Sequence, residues 1–252
     1  MTDPDPWQAL RDELGRWSTA PALWLRDDDA TGPVPALDTL LTLCADRHIP
    51  LCLAVVPGSL APGFADWVSG YAADISAVPH GFTHTNHAPA GAKKAEFGDH
   101  RDAVAMASEL RQGLDRVAAA FGDASRPVFV PPWNRIGARA TAALAAAGYR
   151  ALSTKAPPGH PPVTGITVID VEIDIIDWRG DRGYAGDREV VGLLRDRLAA
   201  LRQQGKVARS IGILTHHAVH DPAAWAFLET LFEETATKVR WLSVDDALAA
   251  TG

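Results

Sequence analysis

The sequence predicts an α/β fold: a mostly parallel sheet closing toward a barrel, in a single domain over 1–252 with its core at about 20–250. Three observations lead there. Short apolar runs alternate with amphipathic stretches from end to end, the pattern of successive strand–helix units. Seven or eight such runs follow one another without a linker or internal repeat, enough strands to favour closure over an open sheet. Acidic residues and histidines cluster directly after these runs, where a parallel α/β protein gathers its chemistry on one rim.

In chain order, residues 7–17 carry Trp7, Leu10, Leu14 and Trp17 at spacings of three and four, a helix stripe that Pro21 ends. Residues 22–25 form a short apolar strand running into Arg26-Asp27-Asp28-Asp29. Pro33 opens a helix with Leu37, Leu40, Leu41 and Cys44 on one face. Residues 51–56 are continuously apolar and stop at Pro57-Gly58, as a strand buried on both faces does. A shorter helix at 64–71 and a strand at 74–78 lead to the histidines of 79–87. The polar stretch 88–101 has no period and reads as a loop. Residues 103–121 make the longest helix, with Met106, Leu110, Leu114, Val117 and Phe121 in register.

A strand at 128–130 is closed by Pro131-Pro132-Trp133-Asn134-Arg135. An Ala-rich helix at 141–147 stops at Gly148, and a strand follows at 149–153. Residues 157–162 hold four prolines and read as a stiff loop. Residues 166–175 alternate as one strand, with Ile169, Val171, Ile173 and Ile175 on one face and Asp170, Glu172 and Asp174 on the other. An amphipathic helix at 190–201 precedes a strand at 211–214 that ends in Thr215-His216-His217. Asp221-Pro222 caps and starts another helix, and Trp241-Leu242-Ser243 leads into a last helical turn.

Composition narrows the function classes. With 47% apolar and 22% charged residues the chain has the make-up of a soluble globular protein. A net charge of −7 without a basic cluster argues against a nucleic-acid partner, and no run approaches the length of a membrane span. The N-terminus lacks the basic start and apolar core of a signal peptide, so a cytoplasmic setting is expected. Cys44 and Cys52 read as core thiols. The sequence carries no signal for an oligomeric state.

Three of the nine histidines, His80, His84 and His87, fall within 80–87. Imidazole is the commonest metal ligand, and such a cluster at a strand end asks for an ion and a carboxylate to complete its site. His80 and His84 are four apart, His84 and His87 three, so spacing leaves the choice of pair open. Two histidines and one carboxylate leave positions free for water and substrate, the pattern of a catalytic centre. A second carboxylate would then act as general base and a histidine across the rim as general acid.

Together these residues resemble the polysaccharide deacetylases, carbohydrate esterase family 4 with the NodB-homology fold, in a divergent bacterial branch. The family's motifs occur in order over about residues 22–217. Its strand ending in Asp-Asp is similar to Asp27-Asp28-Asp29, and its paired histidines to His80-Gly81-Phe82-Thr83-His84, with Gly81 where Ser or Thr is usual. Its Arg/Pro loop is loosely matched by Pro131-Pro132-Trp133-Asn134-Arg135, where Arg135 follows the prolines instead of preceding them. Asp174-Ile175-Ile176-Asp177-Trp178 meets its Asp-x-x-Asp-Trp literally, and Leu214-Thr215-His216 its Leu-x-His.

The resemblance implies an irregular seven-stranded (β/α) barrel. It also implies removal of an acetyl or related acyl group from an amide by water activated on a divalent metal. That metal is expected to be zinc, with cobalt, nickel or manganese as alternatives. It assigns Asp28 as base, Asp29, His80 and His84 as metal ligands, and His216 as acid. The run of three aspartates leaves base and ligand open by one residue among Asp27, Asp28 and Asp29. Asp27, Asn86, His87, Trp133, Arg135, Asp174, Asp177, Trp178 and His217 complete the expected rim as supporting or substrate-side residues. Lys94 and Glu96 lie in a loop that either faces substrate or is plain surface. The expected partner is a carbohydrate or small molecule. Two other readings share the fold: a non-catalytic carbohydrate- or metabolite-binding protein, and a hydrolase of ureides or cyclic amides.

Overall fold

The computed structural model describes residues 5–157 and 163–251. The elements run α1 (Pro6–Leu14), β1 (Ala22–Ala30), α2 (Pro35–Arg47), β2 (Leu51–Val55), α3 (Phe64–Ser69), β3 (Ile75–Pro79), α4 (Ala103–Phe121), β4 (Val128–Phe129) and α5 (Ala138–Ala143). They continue with β5 (Ala151–Leu152), β6 (Thr167–Val168), β7 (Val171–Asp174), α6 (Asp187–Gln203), β8 (Ser210–Thr215), α7 (Pro222–Thr235), β9 (Arg240–Leu242) and α8 (Val244–Ala249). The proline-rich stretch read as a stiff loop lies, beyond Pro157, outside the described residues up to Val163.

Sequence-level chemistry accounts for the helix starts. Asp102 accepts from the Ala105 N–H at 2.9 Å and Asp221 from the Ala224 N–H at 2.7 Å, each satisfying a first-turn donor that the helix leaves free. Pro222 follows its cap at the first helical position, where a missing N–H costs nothing.

The strands form two parallel sheets instead of one seven-stranded barrel. Six strands make the larger sheet, in the order β3-β2-β1-β8-β7, with β9 also paired to β1; β4-β5-β6 make the smaller. Single residue pairs link the two sheets: His80 with Val130, Ala77 with Ser125, and Lys155 with Val171. The brevity of β4 has a local cause. Pro127 and Pro131-Pro132 bracket Val128–Phe129, and proline brings no N–H to a ladder. The alternating run at 166–175 is two strands in two sheets: β6 pairs β5, whereas β7 pairs β8. The break falls where the Asp170 carboxylate accepts from the Thr154 N–H (2.9 Å) and hydroxyl (2.7 Å).

Three apolar clusters flank the sheets. One packs the outer face of the large sheet under α1, α2, α6 and α7, and includes Leu23 and Leu25 of β1. A second joins the inner faces of the two sheets through Ala22 and Trp24 of β1, Cys52, Ala54, Val78, Val130, Ala151 and Leu214. The third sits between the small sheet and α4–α5 around Phe97, Phe129 and Leu152. Gly212 stands opposite Trp24 in the β1–β8 register, and a Cβ there would lie 2.7 Å from the indole, so only glycine admits that ring. Cys44 and Cys52 are free and buried, and burial pushes both thiols up. Among the described residues no helix is long and apolar enough to cross a membrane.

Candidate metal centre

Strand periodicity sorts the three aspartates. Leu23 and Leu25 face the outer core and Ala22 and Trp24 the inner one, so strict alternation sends Asp27 outward and Arg26 and Asp28 inward. Asp27 does face away. It accepts from the Thr215 hydroxyl at 2.7 Å and the His217 N–H at 2.9 Å, and its carboxylate also meets the His217 imidazole Nδ1. Asp29 would follow Asp27 outward, but the chain bulges. The β1–β2 register moves three residues on β1 (Asp27 to Ala30) for two on β2 (Leu53 to Val55), and Asp29 takes φ 75°. The extra residue turns Asp29 onto the rim beside Asp28.

There Asp29 meets the histidines. His80, directly after β3, directs Nε2 to Asp29 Oδ1 at 3.1 Å, and His84 Nε2 lies 3.2 Å from the same oxygen. These three donor groups lie within 4.8 Å of one another, the candidate metal-ligating set among the described residues. His80 Nδ1 is 3.0 Å from the Val130 carbonyl, a contact that fixes the ring with Nε2 toward Asp29. Burial pushes His80 down, yet the carboxylates of Asp28 and Asp29 more than offset this and hold its imidazole above the usual range. Burial likewise raises Asp29, but the bonds from His80 and His84 bring it far below the carboxylate range. The pocket thus gathers a carboxylate and two imidazoles around one point. A divalent cation fits that donor set.

Asp28 and His216 stand next to this set. Asp28 is 1% exposed, and its Oδ2 lies 3.9 Å from His216 Nε2. Arg26, 0% exposed, holds the carboxylate: Nη2 donates to Oδ2 at 3.0 Å, and Nε sits 2.9 Å from Oδ1 as an ion-pair contact bent too far for a hydrogen bond. The same guanidinium donates to Ser153 Oγ (2.8 Å) and Asn134 Oδ1 (2.7 Å), tying β1 to the rim of the small sheet. Trp178 packs its ring edge-to-face on His216 at 4.7 Å and donates from Nε1 to Asp174 at 2.9 Å. Lys155 Nζ is 3.5 Å from that same Asp174 carboxylate. Trp133 lies 4.5 Å from the His84 ring, with Lys94 Nζ 5.8 Å above the indole.

Other expected site residues sit elsewhere. Arg135 does not orient an aspartate; it donates to the Lys94 carbonyl at 3.0 Å, and Arg26 holds that place instead. A charge inside an otherwise apolar strand, two residues before Asp28, is the sequence signal for it. His217 is buried against Asp27, behind the rim. Asp177 accepts from the Arg179 and Gly180 N–H groups, closing its own turn. Asn86 accepts from the Ala88 and Ala95 N–H groups and so shapes its loop. His87 is exposed and lies outside the set around Asp29. Glu96, in the loop read as substrate-facing or surface, is fully buried.

Known structures share this fold. A candidate polysaccharide deacetylase from Mycobacterium smegmatis superposes with a TM-score of 0.62 at 15% identity, over 93% of this chain and 92% of its own. The chitin deacetylase of Colletotrichum lindemuthianum gives 0.58 at 17% identity, covering 91% and 88%. A family 4 acetyl xylan esterase from Clostridium thermocellum, solved with a cobalt ion, gives 0.52 at 10% identity, covering 90% of each chain. No family model matches the chain, and no curated protein matches its sequence. The resemblance to carbohydrate esterase family 4 thus holds at the level of the fold.

Proposed function

We propose that the protein is a metal-dependent hydrolase that removes an acetyl or related acyl group from an amide. The observation that carries this reading is the bulge at Asp28-Asp29, which sets a buried, arginine-held carboxylate beside an Asp/His/His cradle and within 4 Å of His216. Asp29, His80 and His84 would hold the ion, with zinc the first choice and cobalt, nickel or manganese alternatives. When bound, a divalent ion lowers the pKa of water and polarises a carbonyl. Asp28 takes the proton of the attacking water, oriented by Arg26. His216 returns a proton to the leaving nitrogen, its ring held by the edge of Trp178.

The indoles of Trp133 and Trp178 stand at the two histidine ends of the site, and their flat faces suit the C–H faces of a sugar ring. That supports an N-acetylated sugar or a small N-acyl metabolite as substrate. A cytoplasmic setting is part of the reading, and two free thiols are compatible with a reducing compartment. A non-catalytic binding role loses its one support, the altered Arg/Pro loop, because Arg26 takes over the contact to Asp28.

The test is a screen of metal-loaded protein against N-acetylated sugars, small N-acyl amines and ureides, with product release measured. Acetate release that tracks metal content is expected. Turnover confined to ureides would reassign the substrate, and binding without hydrolysis under zinc, cobalt and manganese would overturn the enzyme reading.

A further inference from the structure

Glu96 is a fully buried carboxylate that the proposed chemistry does not use. Its oxygens accept from the Phe82 N–H (3.0 Å), the Thr83 N–H (2.7 Å) and the Thr83 hydroxyl (3.0 Å). These donors belong to the turn between His80 and His84. Two successive backbone N–H groups aimed at one carboxylate form a small anion nest. The turn is built for it: Gly81 has φ 62°, and a Cβ there would lie 2.0 Å from Glu96 Oε2 and 2.5 Å from Pro132 Cγ. Gly81 thus clears the space that the carboxylate fills. His84 leaves the same turn with φ 58°, a conformation that a free chain rarely holds at histidine.

Glu96 is itself held from the far side. The His87 N–H donates to the Ala95 carbonyl at 3.0 Å, and Arg101 Nη1 to the Glu96 carbonyl at 3.2 Å while its guanidinium grips Glu109 of α4 at 2.7 Å. The loop before α4 therefore delivers a fixed carboxylate beneath the ligand turn.

We infer that Glu96 is a positioning residue for the metal cradle: it fixes the 81–84 turn so that His84 stands ready beside Asp29 and His80, and metal affinity depends on it. This rests on the reading of Asp29, His80 and His84 as a metal centre. Glu96→Gln is the sharp probe. The amide keeps the shape, but in either orientation it sets an NH2 against a backbone N–H donor of the turn.

The experiment titrates metal-free wild type and variants with zinc and cobalt against a chromophoric chelator, alongside circular dichroism and metal-free melting curves. In folded Glu96→Gln the dissociation constant is expected to rise about 10–100-fold, with saturating cobalt restoring the wild-type visible spectrum. A lower melting temperature with wild-type affinity would overturn the inference and leave Glu96 a purely structural residue. If Glu96→Gln does not fold, Thr83→Val decides, since it removes one donor to Glu96 from an exposed position. Severalfold weaker binding supports the assignment, and unchanged binding overturns it. Wild type that binds no ion would bring down the metal-centre reading and this inference with it, whereas tight wild-type binding with an indifferent Glu96→Gln sinks the inference alone.

Discussion

Arg26 and Asp28, two residues apart on the inner face of β1, form an ion pair with both partners almost wholly shielded from water. Removing the cation alone strands a buried carboxylate. Arg26→Met is therefore expected to cost about 3–5 kcal/mol of stability, measured by urea unfolding. The double variant Arg26→Met/Asp28→Asn should recover most of that loss but no turnover. Recovery of activity in the double variant would remove Asp28 from the chemistry.

The cradle predicts a ligand-dependent melting temperature. An ion that binds only the folded protein at a hundredfold excess over its dissociation constant adds about 2.7 kcal/mol. Chelation should lower the melting temperature of wild type, and zinc should restore it. Asp29→Ala should show neither effect, while Asp28→Asn should show both and still lose turnover by about 10²–10⁴-fold, the range of a general base. Metal response surviving in Asp29→Ala would move the ligand elsewhere on the triple aspartate.

His216→Ala should keep the metal-dependent melting shift and lose about 10²–10⁴-fold in turnover. Trp178→Phe keeps an aromatic edge for His216 but loses the Nε1 bond to Asp174. A smaller loss, in kcat with metal affinity intact, is expected there. Steady-state kinetics with matched metal titrations check both.

Away from the site, Glu13 of α1 is 2% exposed and takes two bonds from Arg202 of α6, at 2.7 and 3.0 Å. Its hydrogen bonds to Arg202 outweigh burial and hold the carboxyl below its usual value. A depressed folded-state pKa contributes stability that is present above the unfolded value, about 4.3, and lost as pH falls through the folded one. Glu13→Gln should therefore melt lower than wild type at pH 7, with the gap closing as pH drops below about 4. A gap that persists at acid pH would assign the loss to packing.

How far the sequence foretells this molecule depends on what each residue must do. That His80, His84, Asp28, Asp29 and His216 would gather on one rim is legible because strand ends bring them together. The longest helix, residues 103–121, is legible in full because its apolar stripe runs between Asp102 and Gly122. The Asp28-Asp29 bulge leaves no mark, because one surplus residue in a strand has no composition of its own. The division of 166–175 hides for a related reason: alternation continues across the break, and only the strand pairing and the Asp170–Thr154 contact reveal it. Arg135 misleads because a Pro-rich loop matches by content, whereas orientation of Asp28 depends on which guanidinium shares its face of β1. Glu96 hides because a carboxylate in a polar loop reads as solvated until the turn above it is seen.

The backbone of Asp29 also bears on which ions this protein could ever favour. At φ 75° a short side chain that can bond to its own backbone is tolerated, while bulkier residues are penalised. Exchanging Asp29 for cysteine would demand a left-handed conformation that residue resists, whereas histidine, which already holds φ 58° at position 84, would be admitted. Straightening β1 would send position 29 outward with Asp27 while Asp28 stayed inward, so the cradle's carboxylate depends on the bulge and the placement of Asp28 does not.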